Sequence, residues 1–160
     1  LWDSAKQTVQ VMFIIAAAGF FGWLTIHQRI PDQVISTLTV MSATAGGVVA
    51  MVMIIVLILG CFLEGNAIFI ITIPIFLPIA QQFGIDLVNF GVVMTLLIMT
   101  GNLTPPVGMC LFAVSSFSKV SIAVLAREVW PYLVGILVVT ILIAYVPEIA
   151  LFIPNRFMAN

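Results

Sequence analysis

Gly101-Asn102-Leu103-Thr104-Pro105-Pro106-Val107-Gly108 stands at the centre of a 32-residue stretch, Leu87 to Ser118, that carries no charge. About 20 apolar residues cross a bilayer as a helix, so a stretch of this kind is expected to enter one. It cannot do so as one unbroken helix. Pro105 disfavours the α conformation at Thr104, and the two prolines lack the amides that would reach the carbonyls of Gly101 and Asn102. Two half-helices are expected, from Asn89 to Asn102 and from Pro106 to Phe117. Their facing ends present open carbonyls on one side and a positive dipole end on the other. Gly101 and Gly108 carry no side chain, which lets an ion or another backbone come close. Discontinuous helices of this kind mark the substrate and coupling-ion sites of secondary transporters. A proline kink without any site is the plainer alternative.

The composition agrees with a bilayer setting. Of 160 residues, 63% are hydrophobic and 7% charged, and the mean hydropathy is +1.31. A soluble domain has about 25% charged and 45 to 50% apolar residues, so a water-soluble globule is excluded. Outer-membrane barrels need alternating segments of roughly ten residues, whereas the apolar runs here are long and contain Gly and Pro. The expected fold is therefore an all-α integral membrane protein. Five Lys and Arg against six Asp and Glu give a net charge of −1 without a basic run, so no nucleic-acid partner is expected and the bilayer itself is the first one. Cys61 and Cys110 both lie inside apolar stretches, where a buried thiol is ordinary, so neither a disulfide nor a metal site is implied. The chain opens at Leu1 without a Met or a recognisable signal peptide, and is expected to be a piece of something longer.

Working outward from the central break, residues 88–118 form the discontinuous helix and 1–30 a first transmembrane helix. Asp3 or Ser4 can cap its start, and His27, Gln28 and Arg29 lie at its far interface. From Pro31 to Met41, Val34, Ile35, Leu38 and Met41 share one helical face while Asp32, Gln33, Ser36, Thr37 and Thr39 fill the rest. That pattern suits an interfacial arm helix within 31–47, followed by a flexible joint at Gly46-Gly47; an ordinary interhelical loop is the alternative. Residues 48–82 run apolar on both sides of Glu64-Gly65-Asn66. A carboxylate there marks either a wetted loop between two spans or the tip of a re-entrant hairpin buried in protein. The absence of Lys and Arg around the tip, and arms of about 15 to 18 residues, favour the hairpin. Lys119 and Arg127 bracket the next turn, the best candidate for a cytoplasmic loop, and residues 127–152 hold the last transmembrane helix. Lys6 then shares the cytoplasmic side, with Arg29 and Arg156 opposite.

The run Gly60-Cys61-Phe62-Leu63-Glu64-Gly65-Asn66-Ala67, the run Pro74-Ile75-Phe76-Leu77-Pro78-Ile79-Ala80 with Phe83-Gly84-Ile85-Asp86 after it, Leu103-Thr104-Pro105-Pro106-Val107-Gly108 with Leu111-Phe112, and the closing Tyr145-Val146-Pro147-Glu148 together resemble the carboxy-terminal part of the large membrane subunit of tripartite ATP-independent periplasmic (TRAP) transporters. The resemblance covers nearly the whole chain. It implies a bacterial or archaeal inner-membrane transporter, multi-pass, that couples uptake of organic acids such as C4-dicarboxylates or sialic acids to sodium. It also implies a periplasmic substrate-binding protein and a small membrane subunit as partners. The large subunit would have two inverted repeats of the ion-transporter superfamily, each with a re-entrant hairpin and a broken helix, working as an elevator; the first repeat is missing here. By that analogy Glu64 to Ala67 is the second hairpin tip. Many relatives have Asp-Pro-Thr where Glu64-Gly65-Asn66 stands.

Sodium is the expected coupling ion, with no organic cofactor. A hard cation wants oxygen ligands. Gly101, Asn102, Thr104 and Pro106 at the break, and Glu64, Gly65 and Asn66 at the tip, are the candidate ligands, with backbone oxygens of Gly101, Thr104 and Pro106 foremost. Glu64 could bind the ion directly or could cap the second hairpin arm. Asn66, Asn102 and Thr104 are the candidate substrate contacts; satisfying freed backbone groups is the alternative for both asparagines. An intramembrane protease would need a catalytic dyad, an Asp pair or a His cluster; with His27 alone and a single mid-membrane acid, no enzyme is expected. A channel-like or structural subunit is the other alternative.

Overall fold

The computed structural model describes residues 2–41, 44–106 and 108–157, and every regular element among them is helical. The chain runs α1 (Trp2–His27), α2 (Ile30–Met41), α3 (Ala45–Phe62), α4 (Gly65–Gln82), α5 (Leu87–Asn102), α6 (Met109–Ser118), α7 (Ile122–Tyr145) and α8 (Glu148–Phe157). Three of these, α3, α4 and α7, are long and apolar enough to cross a membrane. Much of the outer surface is apolar, with Phe13, Phe20, Trp23, Ile54, Phe117 and Trp130 all exposed, as suits a protein whose solvent is lipid.

Local signals set the helix starts. Thr44 caps α3 by accepting the Gly47 amide at 3.3 Å, and Asp86 caps α5 by accepting from Val88 and Asn89 at 2.9 Å each. Gly46 and Gly47, expected as a joint, are instead the first turn of α3, because Thr44 supplies the cap that starts it. The expected arm helix is α2, with Val34 and Ile35 half-buried against the core and Asp32, Gln33, Ser36 and Thr37 exposed. The side chains of Leu38, Thr39 and Met41, and the proposed Asp3 and Ser4 caps, lie outside the described residues. Arg29 takes a left-handed conformation at φ 52°, which ends α1 and turns the chain into α2. At the other end, α7 begins at Ile122 and carries Arg127 and Glu128 exposed within its first turns. The expected bracket from Lys119 to Arg127 thus shrinks to a turn at Lys119, Val120 and Ser121, with Lys119 at φ 58° closing α6.

The core is built by α3 and α5, the largest helix pair. Val48, Val49, Val52, Met53, Val56 and Gly60 on α3 recur at the same spacing as Asn89, Phe90, Val93, Met94, Leu97 and Gly101 on α5, and all twelve are buried. Two helices with matching buried stripes lie side by side and parallel, and both therefore end at the same level. α4 turns back from that level, with Ile68, Phe76 and Ile79 joining the core, and continues as a helix through Pro74 and Pro78. Buried threonines satisfy themselves on their own helices: Thr72 donates to the Ile68 carbonyl at 2.7 Å and Thr100 to that of Leu96 at 2.6 Å.

Two longer helices flank this unit. α1 and α7, with 26 and 24 residues, measure about 39 and 36 Å at 1.5 Å per residue, against about 27 Å for each 18-residue arm of the α3–α4 hairpin. Phe13 and Ala17 of α1 line a cleft with Ala67 and Ile70 of α4, and further on Gly22 faces Pro74. α1 therefore runs parallel to α4 and its first turns extend beyond the hairpin tip. α7 runs the other way. Its Tyr145 hydroxyl donates to the Gly46 carbonyl at the start of α3, 3.1 Å away, Leu137 and Ile141 sit beside Met53 and Leu97, and its earlier part packs on α6.

A candidate ion site between the hairpin tip and the broken helix

Glu64-Gly65-Asn66 forms the turn of the hairpin. The Glu64 carboxylate accepts the Ala67 amide at 3.1 Å and the Asn66 side-chain amide at 2.9 Å, so it caps α4 and holds Asn66. A carboxylate is favoured at a helix amino end by the unpaired amides and by the dipole. Of the two roles open to Glu64 from sequence, the cap is the one its hydrogen bonds make. Asn66 and Glu64 are exposed and Gly65 is buried.

The break lies directly against this tip. α5 ends at Asn102, and six residues separate it from the start of α6 at Met109. The second half-helix starts later than expected because Gly108 takes a left-handed conformation, φ 55°, just before it. Pro106 is exposed and its bond to Pro105 is cis; Val107 lies outside the described residues. A Cβ built on Gly65 would meet the Asn102 side-chain nitrogen at 3.0 Å, and one built on Gly60 would meet the Gly101 Cα at 2.8 Å. The Gly108 amide donates across to the Cys61 carbonyl at 3.4 Å. Gly65 and Asn102 are thus in direct contact, Gly101 and Gly108 pack on the end of α3, and Asn66 and Glu64 stay on the outer side of the turn.

The oxygen chemistry at the junction is specific. The Gly101 carbonyl, expected to be open, accepts the Thr104 amide at 2.9 Å in a tight turn, and the Leu103 amide is directed at it as well as at the Thr100 carbonyl. Pro106 has no amide to offer Asn102. The Thr104 hydroxyl donates to the Thr100 carbonyl at 2.8 Å, so its hydrogen points into α5 and its lone pairs remain as acceptors. The Asn102 Oδ1 is buried and has no hydrogen-bond partner. An unsatisfied buried acceptor costs about 1 to 3 kcal/mol, and the nitrogen of the same side chain is the atom that lies against Gly65. Asn89 Oδ1 is also buried without a partner, but lies at the far end of α5, about 20 Å along the helix axis at 1.5 Å per residue.

Among the described residues no three His, Cys, Asp or Glu side chains gather as a metal cluster. His27 stacks on Trp23 with ring centroids 5.0 Å apart, an aromatic contact of the kind found at membrane interfaces. Cys61 is buried and Cys110 exposed, both as free thiols. Gly60 was not among the residues singled out for the site. Its only sequence signal is a glycine four residues before the tip, at the end of an otherwise unbroken apolar helix.

A helical membrane protein whose hairpin tip meets an interrupted helix over uncharged oxygens is built on the plan of a secondary transporter. The chain belongs to the family described as "Tripartite ATP-independent periplasmic transporter, DctM component", which matches residues 1–149. It is 36% identical over 155 residues to the C4-dicarboxylate TRAP transporter large permease protein DctM of Pseudomonas aeruginosa, covering 97% of this chain and 36% of that protein. It is 31% identical over 158 residues to the sialic acid TRAP transporter large permease protein SiaM of Vibrio cholerae, covering 99% and 37% respectively. With the isethionate TRAP transporter permease protein DctMQ of Oleidesulfovibrio alaskensis it shares 30% identity over 150 residues, 94% of this chain and 24% of that protein. The chain therefore spans about a third or less of the length of these relatives.

Proposed function

We propose that this chain forms one repeat of the large subunit of a sodium-coupled organic-acid transporter in the inner membrane. In that reading the α3–α4 pair is a re-entrant hairpin and the α5–α6 pair is the broken helix. The reach of the flanking helices supports this: α1 and α7 both extend past the tip. Arms of 18 residues are at the short end of the spanning range of about 17 to 25, so the overreach of α1 and α7 weighs more than length.

Sodium is cargo in this reading, carried together with the substrate. The observation that carries the assignment is the buried, unpartnered Asn102 Oδ1, at the same break of the chain as the Gly101 carbonyl and the Thr104 hydroxyl. These are neutral oxygens, and a hard cation takes oxygen ligands. Gly65 lies against Asn102 at the junction, while Glu64 stays with its cap, holding Asn66, and lends negative potential from the turn. Asn66, with Asn102 and Thr104, would face a carboxylated substrate whose charge the bound cation offsets. The relatives named for C4-dicarboxylate, sialic acid and isethionate, all organic anions, support that substrate class. The periplasmic binding protein, the small subunit and the rest of the large subunit would complete the assembly, which moves substrate as an elevator.

Uptake of a C4-dicarboxylate or sialic acid by the reconstituted complete transporter in proteoliposomes tests this. A sodium gradient should drive accumulation and counterflow. Equal uptake on a proton gradient with no sodium would overturn the coupling, and uptake without counterflow would indicate a channel.

A further inference from the structure

The closest approach of backbones in the site is between two residues with no functional groups. Gly60, one turn before the hairpin tip, and Gly101, at the end of α5, meet Cα to Cα with nothing between them. A Cβ on Gly60 would stand 2.8 Å from the Gly101 Cα, and a Cβ on Gly101 would stand 2.5 Å from the Gly60 Cα and 2.8 Å from its carbonyl carbon. Ordinary contact begins at 3.4 Å. What stands in the way is backbone on both sides, so no side-chain rotation can relieve it and the crossing itself would have to open by more than half an ångström. The crossing is also the last point of the matched α3–α5 stripe before the two chains diverge into the tip and the break. Gly65 against Asn102, and Cys61 against Gly108, are the next contacts beyond it.

We propose that Gly60 is a positioning residue for the ion site: the Gly60–Gly101 crossing sets the separation between the hairpin tip and the break, and through it the affinity for the coupling cation. Gly60 contributes no ligand. It acts by letting the Asn102 and Gly101 oxygens on one side and the Gly65 backbone on the other close on the same ion. A cation site loses affinity steeply when ligands that must converge are held apart; misplacement by about 1 Å can cost on the order of a hundredfold in an organised site. Close glycine crossings are a general device for helix approach in membranes. Here the crossing falls at the end of the helices, where separation is transmitted to the site rather than absorbed in the core.

The inference rests on the sodium reading above, and its test separates the two. Gly60→Ala in the complete transporter is compared with wild type and with Gly91→Ala, whose added Cβ meets nothing within 4 Å. The half-saturating sodium concentration for uptake should rise about tenfold or more in Gly60→Ala, with maximal uptake at high sodium largely kept and Gly91→Ala unchanged. As a second measurement, a single cysteine at Asn102, in a protein with Cys61 and Cys110 replaced by Ala, should react faster with a small thiol reagent when Gly60→Ala is added. If wild-type uptake ignores sodium, the coupling assignment fails and with it this role for Gly60. If wild type depends on sodium but Gly60→Ala shows only reduced maximal uptake at unchanged half-saturating sodium, Gly60 is a packing residue and the inference alone is overturned. Unchanged labelling of the Asn102 cysteine would overturn it equally, because the crossing would not then set the gap.

Discussion

Replacing Glu64 separates a helix cap from an ion ligand more cleanly than any other change at the tip. In the structure its carboxylate accepts two hydrogen bonds, from the Ala67 amide at 3.1 Å and from the Asn66 side chain at 2.9 Å. Glu64→Ala removes the cap of α4 and should cost about 1 kcal/mol, within the 0.5 to 2 kcal/mol range of lost caps. Glu64→Gln keeps an acceptor for Ala67 but has a single oxygen, so it gives up the charge at the helix amino end, about 0.3 to 1 kcal/mol at an exposed position, and the second acceptor that holds Asn66. The expected order of thermal stability of the purified transporter is thus wild type, then Gln, then Ala. Sodium titrations of uptake on the same preparations should show Glu64→Gln within about twofold of wild type, because neutral oxygens from α5 hold the ion. The reasoning fails if Glu64→Gln is as stable as wild type and yet needs tenfold more sodium, about 1.4 kcal/mol of lost binding. That result would make the carboxylate a direct ligand.

Replacing both Pro105 and Pro106 by Ala should extend α5 and abolish sodium-driven uptake without lowering thermal stability, since each proline costs about 3 kcal/mol in a helix interior; full uptake would show the break to be a kink only. At the α1–α4 contact, where a Cβ on Gly22 would lie 3.7 Å from Pro74, Gly22→Ala should be neutral and Gly22→Leu should destabilise by about 1 to 3 kcal/mol through overpacking, read by thermal or denaturant unfolding. Tyr145→Phe removes the bond from α7 to the Gly46 carbonyl and should cost about 0.5 to 1.5 kcal/mol in the same assay, with sodium affinity unaltered.

The parts of this fold visible in the sequence are those where a residue type acts on its own backbone. Pro105 and Pro106 stop α5 whatever surrounds them, and Glu64 in a long apolar run has to be a turn, so the broken helix and the hairpin turn stand in the sequence with nearly their final boundaries. Local rules also misled where a cap outweighed a breaker. Gly46 and Gly47 read as a joint, but Thr44 supplies an acceptor to the first turn and the following valines bury against α5, so the helix begins before the glycines. Arg127 and Glu128 read as the edge of a loop, yet charged side chains that point outward from a helix near its start cost little, and α7 begins at Ile122. α8 is hidden in the sequence because residues 127–152 read as one last helix; the Pro147 carbonyl instead accepts from Leu151 at 2.9 Å in the first turn of a new helix. The site itself was half legible. Gly101, Asn102 and Thr104 follow from the prolines, whereas the pairing of Gly60 with Gly101 and the isolation of Asn102 Oδ1 are contacts between distant segments, which no local pattern encodes.

The most direct test of the central claim is sodium binding itself. Sodium affinity should be measured on the purified complete large subunit, by radioisotope binding at equilibrium without substrate, for wild type and for Asn102→Leu, which keeps the shape of the side chain and removes its oxygen. Saturable binding in wild type, weakened about tenfold or more in Asn102→Leu, is the predicted outcome. Equal sodium affinity in the two proteins would contradict a site built on the buried Asn102 oxygen.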